Sequence, residues 1–191
     1  MREWLACLAL VGTAVSGRAQ TVAVDGNPRA QVRVLIYESL QCKDSAAFRL
    51  ALDEYLLPRY GSQVAFEHHD FIPPKHKWAL RAAMAARYFD SVRPGAGLAW
   101  RRWVQARQAE LNETVLEERV REFARDESLD AAAAVRALSS TALEEAVLRD
   151  QEGGAARGVT RTPTVIVGQK RFAEKVRASE VAAAIEEALK P

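Results

Sequence analysis

The sequence predicts an α/β fold in which one sheet is assembled from both ends of the chain around an inserted helical segment. Three observations predict it: a strand, helix, strand unit near the start, a long helical middle without internal repeats, and a return to strand chemistry before a final helix. Gln31 to Tyr37 places Val32, Val34 and Ile36 on one face and Leu35 and Tyr37 on the other, as a central strand apolar on both sides requires. It stops at Glu38-Ser39. From Ser45 onward Phe48, Ala51, Leu52, Tyr55 and Leu56 recur at helical spacing, and Pro58 with Gly61 is expected to close that helix. Gln63 to His69 alternates, with Val64, Phe66 and His68 opposite Ala65, Glu67 and His69, which makes a second strand parallel to the first. The residues ahead of the first strand, with the turn signal Asp25-Gly26-Asn27-Pro28, read as a lead-in.

After Pro73-Pro74 the pattern is helical to about residue 157. Trp78, Ala82, Ala86 and Phe89 form one stripe; Trp100, Trp103, Val104, Arg107 and Leu111 form another. Thr114 with Glu117 and Thr141 with Glu144 read as capping boxes opening two further helices. Gly153-Gly154 falls inside the last helical stretch, where it loosens the helix. Thr164 to Val167 is a short strand, Gly168-Gln169 a tight turn, Lys170 to Phe172 the returning arm, and a last helix capped by Ser179 carries Val181, Ile185 and Leu189.

A chain of 191 residues, 49% hydrophobic and 27% charged, buries one core and excludes a disordered tail or a disulfide-dense mini-protein. Lys+Arg 27 against Asp+Glu 25, spread along the chain, leaves none of the basic footprint of a nucleic-acid binder. The first residues read as an export signal: Arg2, then 12 mostly apolar residues from Trp4 to Val15, then small Gly17 and Ala19 around a cleavage position. A run of that length is too short for a permanent membrane anchor, which needs about 20 residues. The expected organisation is a signal peptide over 1–19 and a single domain over 20–191, with sheet-forming parts at about 32–72 and 158–189 and a helical insertion at about 74–157. Removing 1–19 takes away Arg2, Arg18, Glu3 and Cys7, leaving 25 basic against 24 acidic residues and Cys42 alone. A single cysteine in an exported chain is a buried inert thiol, an intermolecular link or a reactive group.

Cys42 lies where a strand has ended and a helix is about to begin, so unpaired N–H groups and the positive end of the helix dipole favour a thiolate there. Ser45, one turn on, is expected to face the sulfur and donate to it. The structural alternative is a small buried hydrophobe. A second element, Gly158 to Val167, contains Pro163 opening a strand, which is either a cis-proline exposing its neighbour's backbone or an ordinary trans-proline. His68-His69-Asp70 has the residue types of a metal cluster, but alternation turns His69 away, and a polar strand end is the expected fate. Trp100 and Trp103 with Arg101 and Arg102 suit either a protein-binding surface or helix packing with snorkelling arginines. No phosphate-cradling glycine loop occurs in the sequence, so no cofactor is indicated.

Val34-Leu35-Ile36-Tyr37-Glu38-Ser39-Leu40-Gln41-Cys42-Lys43-Asp44-Ser45, the later Asp70-Phe71-Ile72-Pro73 with His76, and Gly158 through Val167 together resemble the DsbA-like branch of the thioredoxin superfamily, over about residues 32 to 189. The resemblance implies a thioredoxin-like fold with an inserted helical domain, thiol-disulfide exchange in a periplasmic or otherwise extracytoplasmic compartment, and protein or small-molecule thiols and disulfides as partners. It implies Cys42 as nucleophile and Thr162-Pro163 as the residue plus cis-proline that hold the substrate chain. The sequence departs from the family at three places. Ser45 stands where the resolving cysteine belongs, Ile36 where many members bury an acid, and Arg161 where a small residue is usual. The expectation is an exported exchange protein acting through one thiol resolved from outside. The alternative is a non-enzymatic scaffold that holds a partner at Arg161 to Pro163 or on its helical face, and a Cys42-linked homodimer is a third form.

Overall fold

A computed structural model describes residues 22–190, so the expected signal segment lies outside the described residues. The sheet has five strands in the order β1-β3-β2-β4-β5. β2 (Val32–Glu38) and β3 (Val64–Asp70) run parallel with Ile36 opposite His68, and the remaining pairs are antiparallel. β4 (Thr164–Val167) lies against β2 and hairpins into β5 (Lys170–Ala173). Both ends of the chain thus feed one sheet, and five helices stand between β3 and β4.

α1 (Lys43–Ala51) crosses between β2 and β3, and the helical run it opens closes at Gly61, as expected, with Pro58 inside its last turn. It widens into a π-helical segment, Leu52–Leu56, and resumes as α2 (Leu57–Tyr60) with Pro58 in its first turn. The wider turn moves aside the upstream carbonyls that an α-helical proline ring would strike. One sheet face is apolar: Val34, Ile36, Val64, Phe66, Val165 and Val167 pack with Phe48, Leu52 and Leu56 and with Val181 and Ile185 of α8 (Ala178–Ala188).

The lead-in contains a strand. β1 (Ala23–Gly26) adds antiparallel to β3, with Ala23 opposite His68. The turn signal was genuine and ends this strand: Gly26 has φ +80°, and a Cβ there would sit 2.5 Å from the Val64 carbonyl oxygen, so only glycine fits. A four-residue edge strand has too few positions to show alternation.

The insertion comprises α3 (Ala79–Val92), α4 (Ala96–Ala106), a 3₁₀ turn at Gln108–Glu110, α5 (Leu116–Asp126), α6 (Ala131–Ala137) and α7 (Thr141–Ala156). Its core gathers Trp78, Phe89, Trp100, Val104, Leu116, Val120 and Phe123, with Phe89, Trp100 and Phe123 in mutual ring contact. The caps differ from the expected residues, and α5 has Val115 at its N-cap with no side-chain bond. Asn112, not Thr114, accepts from the amides of Thr114 and Val115, Ser140 rather than Thr141 caps α7, and α8 begins before Ser179, with Arg177 at its N-cap. Gly154 is not a loosening defect: α7 lies so close to the Tyr37 side chain that a Cβ there would sit 2.9 Å from its ring.

Candidate functional site

β2 ends at Glu38, and Ser39 to Gln41 turn the chain so that Cys42 becomes the N-cap of α1, with φ −85° and ψ 121°. The Cys42 amide donates to the Ser39 carbonyl at 2.9 Å, and its own carbonyl accepts from Ala46 at 3.1 Å as the helix starts. The thiol is half-buried and donates from Sγ to the Thr162 carbonyl oxygen at 3.2 Å. The Thr162–Pro163 peptide is cis. Thr164 Oγ1 donates to the Arg161 carbonyl at 2.7 Å, and the Pro163 carbonyl accepts from the Glu174 amide at 2.8 Å, which fixes the loop beside the sulfur.

The sequence-predicted residues therefore meet, with differences of orientation. Cys42, Thr162 and Pro163 are adjacent, although 120 positions separate the first two. Ser45 is 1% exposed, and its Oγ accepts from the Ser39 amide at 3.4 Å, so it braces the end of β2 while the sulfur's partner is the Thr162 carbonyl. Arg161 is exposed on the rim and pairs with Glu174 at 2.6 Å, which directs its guanidinium to the β5 side of the loop. Lys43 and Asp44 are exposed beside the sulfur. Chemically, a thiolate at a helix start can attack a disulfide.

Beneath the site lies a buried ionic network. His68, 1% exposed, is held by the Glu38 carboxylate at 3.1 Å on Nδ1 and by Asp25 at 3.0 Å on Nε2. Arg49 of α1 reaches Asp25 at 2.7 Å, and Arg101 of α4 reaches Asp70 at 2.7 Å and Glu38 at 3.3 Å. Gln105 donates to Glu38 at 2.9 Å. Asp70 also pairs with Arg87, which bridges to Asp150. Burial alone would raise the Asp25 and Glu38 carboxyls, but hydrogen bonding and charge interaction with His68, reinforced by Arg49 at Asp25 and by Arg101 at Glu38, hold both well below the usual carboxylate range.

His68-His69-Asp70 does form the polar end of β3, but two of its three members are buried. His68 and Asp70 are in the interior because β1 covers the strand's edge and α4 covers its face, while His69 stacks on Tyr37 at 4.9 Å and pairs with Asp150 at 3.2 Å. Among the described residues no group of three or more His, Cys, Asp or Glu is arranged to hold a metal ion. Nor does Arg101 snorkel: it is 2% exposed, and Trp100 is fully buried with Trp103 stacked on it. Ile36 is a core residue, and the buried acid is Glu38, two positions on and on the same face. That placement had a sequence signal, since Glu38 continues the inward row Val34-Ile36 and His68 continues Val64-Phe66.

A family model described as thioredoxin matches residues 18–187. Among solved structures, α-DsbA1 from Wolbachia pipientis is similar at TM-score 0.74 and 14% identity, covering 87% of this chain and 89% of that one. BdbD from Bacillus subtilis, in its oxidised form, is similar at 0.73 and 18%, covering 89% and 94%. A thioredoxin-like oxidoreductase from Silicibacter pomeroyi DSS-3 is similar at 0.73 and 18%, covering 89% and 93%. No curated protein matches. Sheet order, helical insertion and these matches define a thioredoxin-fold protein of DsbA-like architecture. The chain belongs to the thioredoxin family.

Proposed function

We propose that this protein is an exported thiol-disulfide exchange protein acting through Cys42 alone. The observation that carries the reading is the Cys42 sulfur at the start of α1, 3.2 Å from the carbonyl of the residue preceding cis-Pro163, in a DsbA-like fold. Another similar structure, α-DsbA2 from Wolbachia pipientis, is described as a thiol-disulfide exchange protein, which supports the same chemistry here.

In the proposed reaction the Cys42 thiolate attacks one sulfur of a disulfide R–S–S–R′. A Cys42–S–S–R bond forms, the R–S–S–R′ bond breaks, and R′S⁻ leaves with the electron pair and takes up a proton. An external thiol then attacks the mixed disulfide and releases Cys42. Ser45 offers no second sulfur, so the protein shuffles disulfides between protein or small-molecule partners and stores none. Thr162 and Pro163 present backbone to the substrate chain, and Arg161 adds a cation at the rim. The leader over 1–19 is removed near Ala19, leaving one domain over 20–191 in an oxidising, extracytoplasmic compartment.

The test is incubation of the mature protein with a peptide disulfide, acid quenching and intact-mass measurement. A single adduct of half the disulfide's mass is expected on the wild type and none on Cys42→Ala. A folded wild type that forms no adduct overturns the exchange reading and leaves the loop at Arg161 to Pro163 as a binding surface.

A further inference from the structure

The turn that carries the nucleophile is bonded at each of its four residues to the helical insertion or the loop leading into it. Ser39 Oγ meets His76 Nδ1 at 2.8 Å, and Gln41 Oε1 accepts from the Trp78 amide at 3.1 Å. The Leu40 side chain is buried in the core of the insertion. Gln108 makes the remaining contacts: its Nε2 donates to the Leu40 carbonyl at 2.7 Å and to the Cys42 carbonyl at 3.0 Å. Both protons of one carboxamide nitrogen are used on two carbonyls flanking the turn.

From this geometry we propose that Gln108 is a positioning residue for Cys42, a role that rests on Cys42 being the exchange nucleophile. A trans peptide sets its C=O and N–H in opposite directions, so fixing the Cys42 carbonyl also fixes the Lys43 N–H that points out of the helix start. Two carbonyls converging on one point repel each other unless a donor lies between them. Gln108 is that donor. It sits on a rigid bracket, because the Arg107 guanidinium lies 4.6 Å over Trp103, Trp103 stacks at 5.5 Å on Trp100, and Trp100 Nε1 donates at 2.8 Å to the Ala82 carbonyl. The helical insertion thereby sets the direction in which the sulfur is presented, across a contact remote in sequence from both Cys42 and the cis-proline.

The test uses the neutral disulfide 4,4′-dithiodipyridine and the rate of mixed-disulfide formation at Cys42, with thermal unfolding of each variant as the control for folding. Gln108→Leu, which removes the donor, and Gln108→Asn, whose shorter carboxamide cannot span both carbonyls, are each expected to slow the reaction about tenfold while remaining folded, since a displacement well under 1 Å suffices for that. Gln108→Glu keeps the shape and reverses the hydrogen-bond polarity. It is expected to be slow at neutral pH and to regain part of its rate relative to wild type as acid restores one donating carboxyl hydrogen, a pH dependence that the Leu and Asn variants lack. Folded Leu and Asn variants within twofold of wild type overturn the positioning role and leave the exchange reading intact. A wild type that itself forms no Cys42 mixed disulfide overturns the exchange reading first.

Discussion

Cys42 and Ser45 stand one helical turn apart, yet their side chains occupy different surroundings: the sulfur is half-buried against the Thr162 carbonyl, the hydroxyl fully buried against the end of β2. The spacing is that of a Cys-x-x-Cys pair with the second thiol missing. Ser45→Cys is expected to supply it. After treatment with oxidised glutathione the variant, alkylated in denaturant, would take no label at either cysteine and two labels after reduction, read as a mass difference. Two thiols that stay labelled after oxidation would show that the helix start cannot bring them together.

At the scale of elements, one close approach is that of Gly154 in α7 to the Tyr37 ring of β2. Gly154 brings the helix backbone against the Tyr37 ring, and Tyr37 belongs to the strand that delivers Cys42. Gly154→Ala gains about 1 kcal/mol of helix propensity and loses about 1–3 kcal/mol to overpacking, because the ring has a stacked His69 behind it. A net loss is expected, seen as a lower midpoint in urea denaturation, whereas Gly153→Ala, with only an arginine tip 3.6 Å away, is expected to gain stability. Equal stabilisation by both substitutions would count against the close approach. The π-helical segment ahead of Pro58 belongs to this scale as well: Gly61 closes the helix where local chemistry predicted, and Leu52 and Leu56 pack in the core through the wider turn that precedes Pro58.

Across the whole molecule, the buried network ties β1, β2 and β3 to α1 and to α4 of the insertion, so the two parts share one electrostatic core. Asp25 and Glu38 have carboxyls held below their unfolded values. Their contribution to stability is therefore complete above the unfolded carboxylate range, about pH 4, and is lost progressively as the pH falls below it. Urea denaturation between neutral and strongly acid pH is expected to show a slope approaching about 1.4 kcal/mol per pH unit for each of the two carboxylates, and Glu38→Gln should flatten it. Stability unchanged down to about pH 3 would show that the network contributes no such linkage.

Periodicity and turn chemistry were enough for the strand, helix, strand opening, the helical middle and the closing hairpin, because each is a local pattern of 2.0 or 3.6 residues repeated over a turn or more. They also placed Cys42 at a strand-to-helix junction and Pro163 at a strand start. Local pattern did not reveal β1, which is too short to alternate and is defined by its partner. It also did not reveal the burial of His68, Asp70 and Arg101, since burying a charge depends on which opposite charges arrive from other elements. Gln108 carries no signal at all: a glutamine in a polar turn reads as solvent-exposed, and its meaning comes from two carbonyls that chain distance hides. Composition and spacing thus fix which groups are available along each element. The pairing of the Cys42 sulfur with the Thr162 carbonyl, of Glu38 with Arg101, and of Gln108 with the Leu40 and Cys42 carbonyls is settled by long-range packing, where hydrogen bonds and charges must be satisfied together.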